Sequence, residues 1–322
     1  MKEPTFQDIL DARERIRPYL PPTPFQEILP LSRRFGCRFF LKFESMQPVG
    51  AFKVRGGVNL LSQLSEAERA RGLITASTGN HGQSIAWASR AFGVRALIVA
   101  PDGSNPGKVA AMRTLGAEVV FHGQDFDEAR EWCEAKAETS GMRYVHSANE
   151  PRLIAGVGTA ALECLEQEPD LDVLIVPIGG GSGICGAGLA AKKMNPKIHL
   201  VGVQAENAPA VHESLRAGKM IPNESSATFA DGLATRVPFD LTFGMMQRLV
   251  DETLLISEEE LCEAIRLLAG EVHVIAEGAG AAPTAAAAKM DLKGKKVAAM
   301  LSGRNLTMEN LRTILSGGVP SP

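Results

Sequence analysis

The segment 172-DVLIVPIGGGSGICGAG-188 contains an apolar run, a glycine-rich turn and the start of a helical pattern. Its residues 173–176 are all apolar, which is typical of a strand buried on both faces of a parallel sheet. Gly179, Gly180, Gly181 and Gly183 then bring backbone without Cβ to a helix start, where free N–H groups favour an anion. The segment predicts a phosphate-binding loop, and the simpler alternative is a tight turn that needs glycines for packing.

The same order of strand and helix recurs along the chain. Apolar runs at 73–77, 95–101, 118–123, 199–204 and 296–305 alternate with helical patterns. This alternation predicts an α/β protein with a mostly parallel sheet covered by helices on both faces. The alternation of strand and helix is least evident in residues 21–55 and 219–251, which are rich in Pro, Gly and polar residues. We expect these to be connecting or site-forming segments.

Composition excludes several classes of protein. The net charge of −3 comes from interspersed signs, which argues against a nucleic-acid or anionic-membrane partner. The charged N-terminus does not read as a signal peptide, and no apolar run reaches the ~18 residues of a membrane span. Five scattered cysteines favour neither a disulfide framework nor a zinc cluster. We therefore expect a cytoplasmic protein with reduced cysteines.

Two further loops lie after predicted strands, where ligands of α/β sheets usually bind. In 76-ASTGNHGQS-84 the donors of Ser77, Thr78 and Asn80 suit a carboxylate, although Thr78 or Asn80 could simply cap the helix. His81 is either a catalytic base or, as is commoner at a helix start, structural. In 298-AAMLSGRNLT-307, Ser302 either caps the next helix or donates to a ring nitrogen of a cofactor.

A lysine lies among apolar residues in 44-ESMQPVGAFKVRGGVNLL-61. Burial of Lys53 would depress its pKa, and a neutral amine is what carbonyl chemistry needs. The glycine loop is not a Walker A loop, and it lacks the GxGxxG spacing with a following ribose-binding acid that a dinucleotide site would need. Together, a phosphate loop and a neutral lysine indicate pyridoxal 5′-phosphate. The alternative is a surface lysine whose aliphatic carbons pack on the protein while its ammonium stays in water.

Five motifs, GAFKVRGG, STGNHGQ, VPIGGGSGICG, ADGLA and LSGRN, occur in one order over nearly the whole chain. In this order the sequence resembles the fold-type II pyridoxal-phosphate enzymes, specifically the threonine/serine dehydratase and serine racemase group. The resemblance implies two open, mostly parallel twisted sheets covered by helices, as in the tryptophan synthase β-like fold. It also implies a large cofactor-binding domain (1–44 and 146–322), a small domain inserted in it (45–145), and a homodimer.

The resemblance implies roles for individual residues. Lys53 would carry the Schiff base and remove the Cα proton, with Thr78 as a second catalytic residue. The implied cofactor-binding residues are Phe52, Lys53, Asn80, Gly179, Gly180, Gly181, Ser182, Gly183, Glu277 and Ser302. The implied substrate-binding residues are Ser77, Thr78, Gly79, Asn80, His81 and Ala148. No metal is expected, because Gln204 and Ala210 stand where related enzymes place carboxylate ligands.

The implied reaction is an ammonia-lyase reaction that converts a β-hydroxy-α-amino acid to a 2-oxo acid and ammonia. The substrate would be threonine, serine or, through a more open pocket near 148–157, a bulkier analogue such as phenylserine. A racemase, a β-hydroxyaspartate dehydratase and a β-replacement synthase are alternatives. For racemisation, Thr78 replaces the serine of related racemases, and its methyl group crowds that face. A non-catalytic ligand-binding protein on the same scaffold is the alternative of a different class.

Overall fold

A computed structural model describes residues 2–124 and 126–322, and this part of the chain contains ten strands in two sheets. The strands are β1 (Phe25–Glu27), β2 (Arg38–Lys42), β3 (Leu73–Ala76), β4 (Ala96–Ala100), β5 (Glu118–Phe121), β6 (Arg143–Tyr144), β7 (Val173–Pro177), β8 (His199–Ala205), β9 (Glu252–Ile256) and β10 (Lys296–Met300).

The α-helices are α1 (Phe6–Ile16), α2 (Leu29–Phe35), α3 (Val54–Leu61), α4 (Glu66–Arg71), α5 (Asn80–Phe92), α6 (Pro106–Thr114), α7 (Phe126–Ser140), α8 (Pro151–Gln167), α9 (Ser182–Met194), α10 (Ala210–Ala217), α11 (Asp240–Leu249), α12 (Glu258–Leu267), α13 (Gly278–Ala287) and α14 (Met308–Leu315). A 3₁₀ turn at Glu44–Met46 and a π-helical turn at Leu268–Val272 complete the helical segments of the described chain.

The two sheets are open and almost entirely parallel. The larger has the order β1-β2-β10-β7-β8-β9 and the smaller the order β5-β4-β3-β6. Only β1 runs antiparallel to its neighbour, β2. The predicted fold class, α/β with two open, mostly parallel sheets covered by helices, is confirmed.

Alternate residues of the central strands enter different cores. In β7, Val173 and Ile175 face a core that also holds residues of α12 and α13, whereas Leu174 and Val176 face one that holds residues of α8 and α9. The smaller sheet contributes to the second of these cores and packs its other face on α7. Both faces of each sheet are therefore covered, which explains why the strands read as continuous apolar runs.

Two segments that we expected to be connecting or site-forming contain regular structure. Residues 21–55 include β1, α2 and β2, and β2 pairs with β10 inside the larger sheet. Residues 219–251 include α11. Prolines and charges at the margins of these segments obscured short elements whose apolar residues pack against distant parts of the chain.

The strands divide along the chain as a small domain inserted in a large one would require. The smaller sheet uses strands between residues 73 and 144, and the larger uses strands before residue 43 and after residue 172. The boundaries at 45 and 145 stay a prediction. Among the described helices, none is both long and apolar enough to cross a membrane.

Candidate active site

The loops at the carboxyl ends of β2, β3, β7 and β10 surround one cavity of about 750 Å³. This volume is within the usual range of small-molecule sites. All but one of the predicted site residues line it, and these are Phe52, Lys53, Ser77, Thr78, Gly79, Asn80, His81, Gly179, Gly180, Gly181, Ser182, Gly183, Glu277 and Ser302. Residues from both sheets thus meet at a single site.

Lys53 lies immediately before α3, and its amine enters the cavity. Its Nζ donates to Ser182 Oγ at 2.8 Å and to the Ser147 carbonyl at 3.4 Å. Burial lowers the pKa of Lys53 to about 8, because the charged form loses hydration and gains no carboxylate partner. Lys53 is thus an amine that can become neutral near physiological pH.

This lowered pKa predicts a pH dependence for the cofactor-free protein. Acylation of Lys53 by an amine-reactive reagent should rise with a midpoint near pH 8, because only the neutral amine reacts. The folded chain binds this proton more weakly than the unfolded chain, so the Lys53 contribution to stability increases as pH rises from about 8 towards 10.5. Mass spectrometry of the Lys53 peptide checks the midpoint, and a value near 10.5 would contradict the buried environment.

The glycine loop begins α9 and leaves donors at the cavity. Gly181 has a left-handed backbone (φ 94°), and a Cβ there would lie 2.8 Å from Thr242 Cβ. A Cβ on Gly179 would collide with the Gly232 carbonyl, so packing alone accounts for glycine at these two positions. The first bond of α9 is from Cys185 N to Gly181 O, so the amides of residues 182–184 have no acceptor within the helix. These amides remain suited to a phosphate.

Asn80 joins the two sheets' loops through its side chain. Its Nδ2 donates to Glu277 Oε1 at 2.6 Å, and its Oδ1 accepts from Asn305 Nδ2 at 2.7 Å. Burial raises the pKa of Glu277, although the charge of Lys108 and the Asn80 hydrogen bond partly offset this effect. Asn80 therefore does not cap α5, and Ser77, rather than Thr78, is the residue whose side chain accepts from an amide of its first turn.

Ser77 organises the turn before α5. Its Oγ accepts from the amides of Gly79 at 3.0 Å and Gly82 at 2.8 Å, which leaves the Ser77 hydroxyl proton free to donate. This arrangement presents a donor next to the helix N-terminus. Such a turn suits the carboxylate predicted from the sequence.

His81 is a neutral, buried imidazole. Thr75 Oγ1 donates to the Val145 carbonyl at 2.7 Å, so at 2.8 Å it accepts from His81 Nε2 and places the imidazole proton there. Burial lowers the pKa of His81 to about 3, with further contributions from Lys53 and His146. The His81 Nδ1 atom is buried without a partner among the described residues, so it remains an acceptor at the cavity wall.

Ala148 is the predicted site residue that the structure does not bring to the cavity. It is fully buried, and a Cβ on Gly180 would lie 2.8 Å from the Ala148 methyl group. Ser147 lines the cavity instead. The reason is local: the amides of Ala148 and Asn149 both donate to His146 Nδ1, which turns this segment under the glycine loop.

Sequence reasoning missed an ion pair at the cavity. Lys108 on α6 and Asp231 in the ADGLA motif line it and are bonded through Lys108 Nζ and Asp231 Oδ2. Lys108 lies in an ordinary amphipathic pattern, where a lysine is normally exposed. No local signal distinguishes it.

Behind Lys53 lies a buried network of charges. Arg55 is 1% exposed and binds both oxygens of Glu44 at 2.7 Å and both of Glu163 at 2.6 and 2.9 Å. Lys42 also bonds to Glu163. Burial alone would lower the pKa of Arg55, but the two carboxylates raise it above its ordinary value. The network ties the start of α3, and hence Lys53, to β2 and α8.

These residues fit pyridoxal 5′-phosphate. The amides at the start of α9 suit its phosphate, the Lys53 amine suits its aldehyde, and Asn80 and Ser302 offer polar groups to its ring.

Gln204, which replaces a carboxylate metal ligand of related enzymes, lies at the end of β8. Its Oε1 accepts from the His212 amide. The absence of a metal stays a prediction.

Comparison with known proteins agrees with this site. A family model described as "Pyridoxal-phosphate dependent enzyme" matches residues 16–303. The chain is 42% identical over 316 residues to an L-threonine ammonia-lyase of Thermotoga maritima, covering 98% of this chain and 79% of that protein. It is 38% identical to the L-threonine dehydratase catabolic TdcB of Staphylococcus aureus, covering 97% of this chain and 92% of that protein.

Solved structures of related proteins have the same fold as this chain. A threonine deaminase from the organism abbreviated T.th. superposes with a TM-score of 0.89 at 36% identity, covering 95% of this chain and 99% of that one. Maize serine racemase superposes with a TM-score of 0.92 at 31% identity, covering 98% of each chain. The predicted family and cofactor are therefore confirmed. The chain belongs to the pyridoxal-phosphate dependent enzymes of fold type II, within which it resembles the threonine ammonia-lyases.

Proposed function

We propose that this enzyme is an ammonia-lyase that converts β-hydroxy-α-amino acids, with threonine and serine foremost, to 2-oxo acids and ammonia. The observation that carries the proposal is the position of the Lys53 amine. It lies 2.8 Å from Ser182 of the phosphate-binding loop, in the same cavity as the carboxylate-binding turn of residues 77–81. The names of the relatives support threonine as the substrate.

When bound, pyridoxal phosphate supplies an aldehyde that captures the substrate amine and a ring that makes the Cα proton acidic. Lys53 Nζ then accepts that proton. Its pKa of about 8 is close to physiological pH, which is the condition for an efficient general base. The amides at the start of α9 would hold the cofactor's phosphate, and Lys53 Nζ lies beside them, 2.8 Å from Ser182 Oγ.

Ser302 favours elimination over longer-lived carbanion chemistry. It lies at the carboxyl end of β10 and is 3% exposed. Ser302 would offer the ring nitrogen a neutral hydroxyl, which, unlike a carboxylate, would not hold that nitrogen protonated. Loss of the β-hydroxyl is then the easier outcome after Cα deprotonation.

The turn at 77–81 orients the substrate. The Ser77 hydroxyl and the N-terminal amides of α5 donate to the α-carboxylate. Because the imidazole of His81 is neutral, it adds no charge and keeps Nδ1 as an acceptor.

Racemisation is the second candidate. The structural likeness to maize serine racemase favours it, and the Thr78 hydroxyl lines the cavity as a second acid/base would have to. The Thr78 methyl group restricts χ1, which argues for a minor activity.

A panel of substrates tests the proposal. The holoenzyme is incubated with L- and D-threonine, L- and D-serine, L-threo-phenylserine and β-hydroxyaspartate, and 2-oxo acid, ammonia and the enantiomers of the remaining substrate are measured. We expect equal amounts of 2-oxo acid and ammonia from L-threonine and L-serine, and less than one tenth as much racemised substrate. Threonine and serine turned over far faster than phenylserine would remove the bulkier substrate from the proposal. No 2-oxo acid from any compound would contradict the whole proposal.

We also propose that the protein is cytoplasmic and forms a homodimer. Each subunit would have a large domain, residues 1–44 and 146–322, and a small domain, residues 45–145. All five cysteines are free and buried, which is what a reducing compartment maintains. Sedimentation of the purified holoenzyme measures the oligomeric state.

A further inference from the structure

Lys108 is a buried cation at the cavity wall. It lies on α6, next to the smaller sheet, and is 8% exposed. Lysine is rarely buried unless it is paired, and its partner is Asp231 of the ADGLA motif, whose side chain is 47% exposed. The pair therefore joins a buried ammonium to a carboxylate that water can solvate when the pair separates.

The ammonium lies directly over the carboxylate-binding turn. A Cβ built on Gly79 would be 2.9 Å from Lys108 Cδ and 3.3 Å from Lys108 Nζ. Only glycine leaves room for this lysine, because any side chain at position 79 would push it away. The position of the Lys108 charge next to the turn therefore depends on Gly79 as well as on Lys108.

The turn itself contains no charged group. Ser77, Thr78, Gly79 and Asn80 offer neutral donors, and His81 is an uncharged imidazole whose buried Nδ1 has no partner in the described chain. A carboxylate bound there would meet an uncompensated site unless a cation is close. Lys108 lies against this turn at Gly79, and the Lys53 amine is close enough to lower the pKa of His81.

We propose that Lys108 is the charged partner of the substrate α-carboxylate, and that Asp231 holds its ammonium only until an α-amino acid binds. This inference rests on the proposed function, since that function puts the carboxylate in the turn. When the substrate binds, its carboxylate takes the place of the Asp231 carboxylate beside the Lys108 ammonium. Lys108 is a specificity-determining residue for free α-carboxylates.

Release of Asp231 on substrate binding is favoured over binding of both carboxylates to Lys108, because another carboxyl group, that of Glu277, is already near. Burial raises the pKa of Glu277, the charge of Lys108 lowers it, and the charge of Asp231 raises it. The Lys108 ammonium is therefore near a second acidic group, Glu277, in addition to Asp231, to which it is bonded. A third would leave an excess of negative charge in a buried site, and the release of Asp231 to water avoids this.

The test compares binding of L-alanine with binding of L-alaninamide to the holoenzyme by calorimetry. These ligands differ in the carboxylate and carry no β-hydroxyl, so neither can eliminate water. In Lys108→Met the affinity for L-alanine should fall roughly 10- to 100-fold, the usual effect of losing a charge-assisted hydrogen bond, with little change for the amide. Lys108→Arg should restore part of the loss. A Lys108→Met enzyme that keeps its preference for alanine over alaninamide would overturn the proposal.

Two further variants isolate the exchange. Asp231→Asn should bind L-alanine a few-fold more tightly, because the ammonium is no longer held, and this result stands even if Lys108→Met folds poorly. Weaker binding by Asp231→Asn would overturn the exchange. Lys192→Met removes a lysine bonded to Asp251 at 2.5 Å, outside the residues that line the cavity, and should leave the preference unchanged.

The two proposals fail separately. If no β-hydroxy amino acid yields a 2-oxo acid, yet Lys108→Met loses the preference for alanine, the function is wrong and the role of Lys108 stands. If 2-oxo acid is formed and the preference survives in Lys108→Met, only the role of Lys108 is wrong.

Discussion

Lys53→Ala is expected to lower kcat/KM for L-threonine by about 10³-fold or more, since it removes both the amine that binds the cofactor and the general base. The variant should still fold. Its chain no longer buries an ammonium whose pKa is lowered to about 8, so the cofactor-free protein should be at least as stable as the parent. Release of 2-oxo acid and thermal unfolding of the cofactor-free protein are the two measurements.

Lys192→Met is the control for Lys53→Ala, because Lys192 is also a hydrogen-bonded lysine but does not line the cavity. It should retain full activity. A Lys53→Ala enzyme that keeps a tenth of the parent's kcat/KM would assign the base to another residue. The Thr78 hydroxyl and Lys108 would then be the groups to consider in this cavity.

Arg55→Met is expected to lower the free energy of unfolding by about 3–5 kcal/mol, the usual cost of breaking a buried ion pair by removing one partner. The change leaves Glu44 fully buried and Glu163 11% exposed, with Lys42 as the remaining lysine bonded to Glu163. Chemical denaturation of the cofactor-free protein measures the loss.

Arg38→Met provides the matched comparison for Arg55. Arg38 also binds a glutamate, Glu27, with 2.8 Å between Nη2 and Oε2, but its side chain is 47% exposed. Such an exposed pair contributes roughly 0–1 kcal/mol, so this variant should unfold nearly as the parent does. Equal losses in the two variants would show that burial of the Arg55 network does not matter for stability.

The sequence predicted those parts of the molecule whose cause is local. Continuous apolar runs mark β3, β4, β7, β8 and β10, because a strand covered on both faces must be apolar throughout. The loops that contain Lys53, Ser77, Gly179 and Ser302 follow strands, and the carboxyl ends of parallel strands lie at one edge of a sheet. These two regularities predicted the part of the cavity wall that these loops form, whereas the wall residues in 101–108, 226–239 and 305–310 were not predicted as site residues.

The parts that escaped prediction depend on contacts between distant residues. Asn80 meets Glu277 and Asn305 across about two hundred positions of chain, and Lys108 meets Asp231 across more than a hundred. No periodicity or spacing carries such information. Ala148 was expected to face the substrate because it is a small residue near predicted site residues, but it packs under Gly180, outside the residues that line the cavity.

The central claim is that Lys53 is the lysine that holds pyridoxal phosphate. Of the described residues, two lysines line the cavity, Lys53 and Lys108, so the claim can be tested by locating the cofactor. The holoenzyme is reduced with borohydride, digested, and its peptides are sequenced by mass spectrometry. We predict the reduced cofactor on Lys53 and none on Lys108. Cofactor on Lys108, or an unmodified Lys53 in a fully loaded enzyme, would contradict the account.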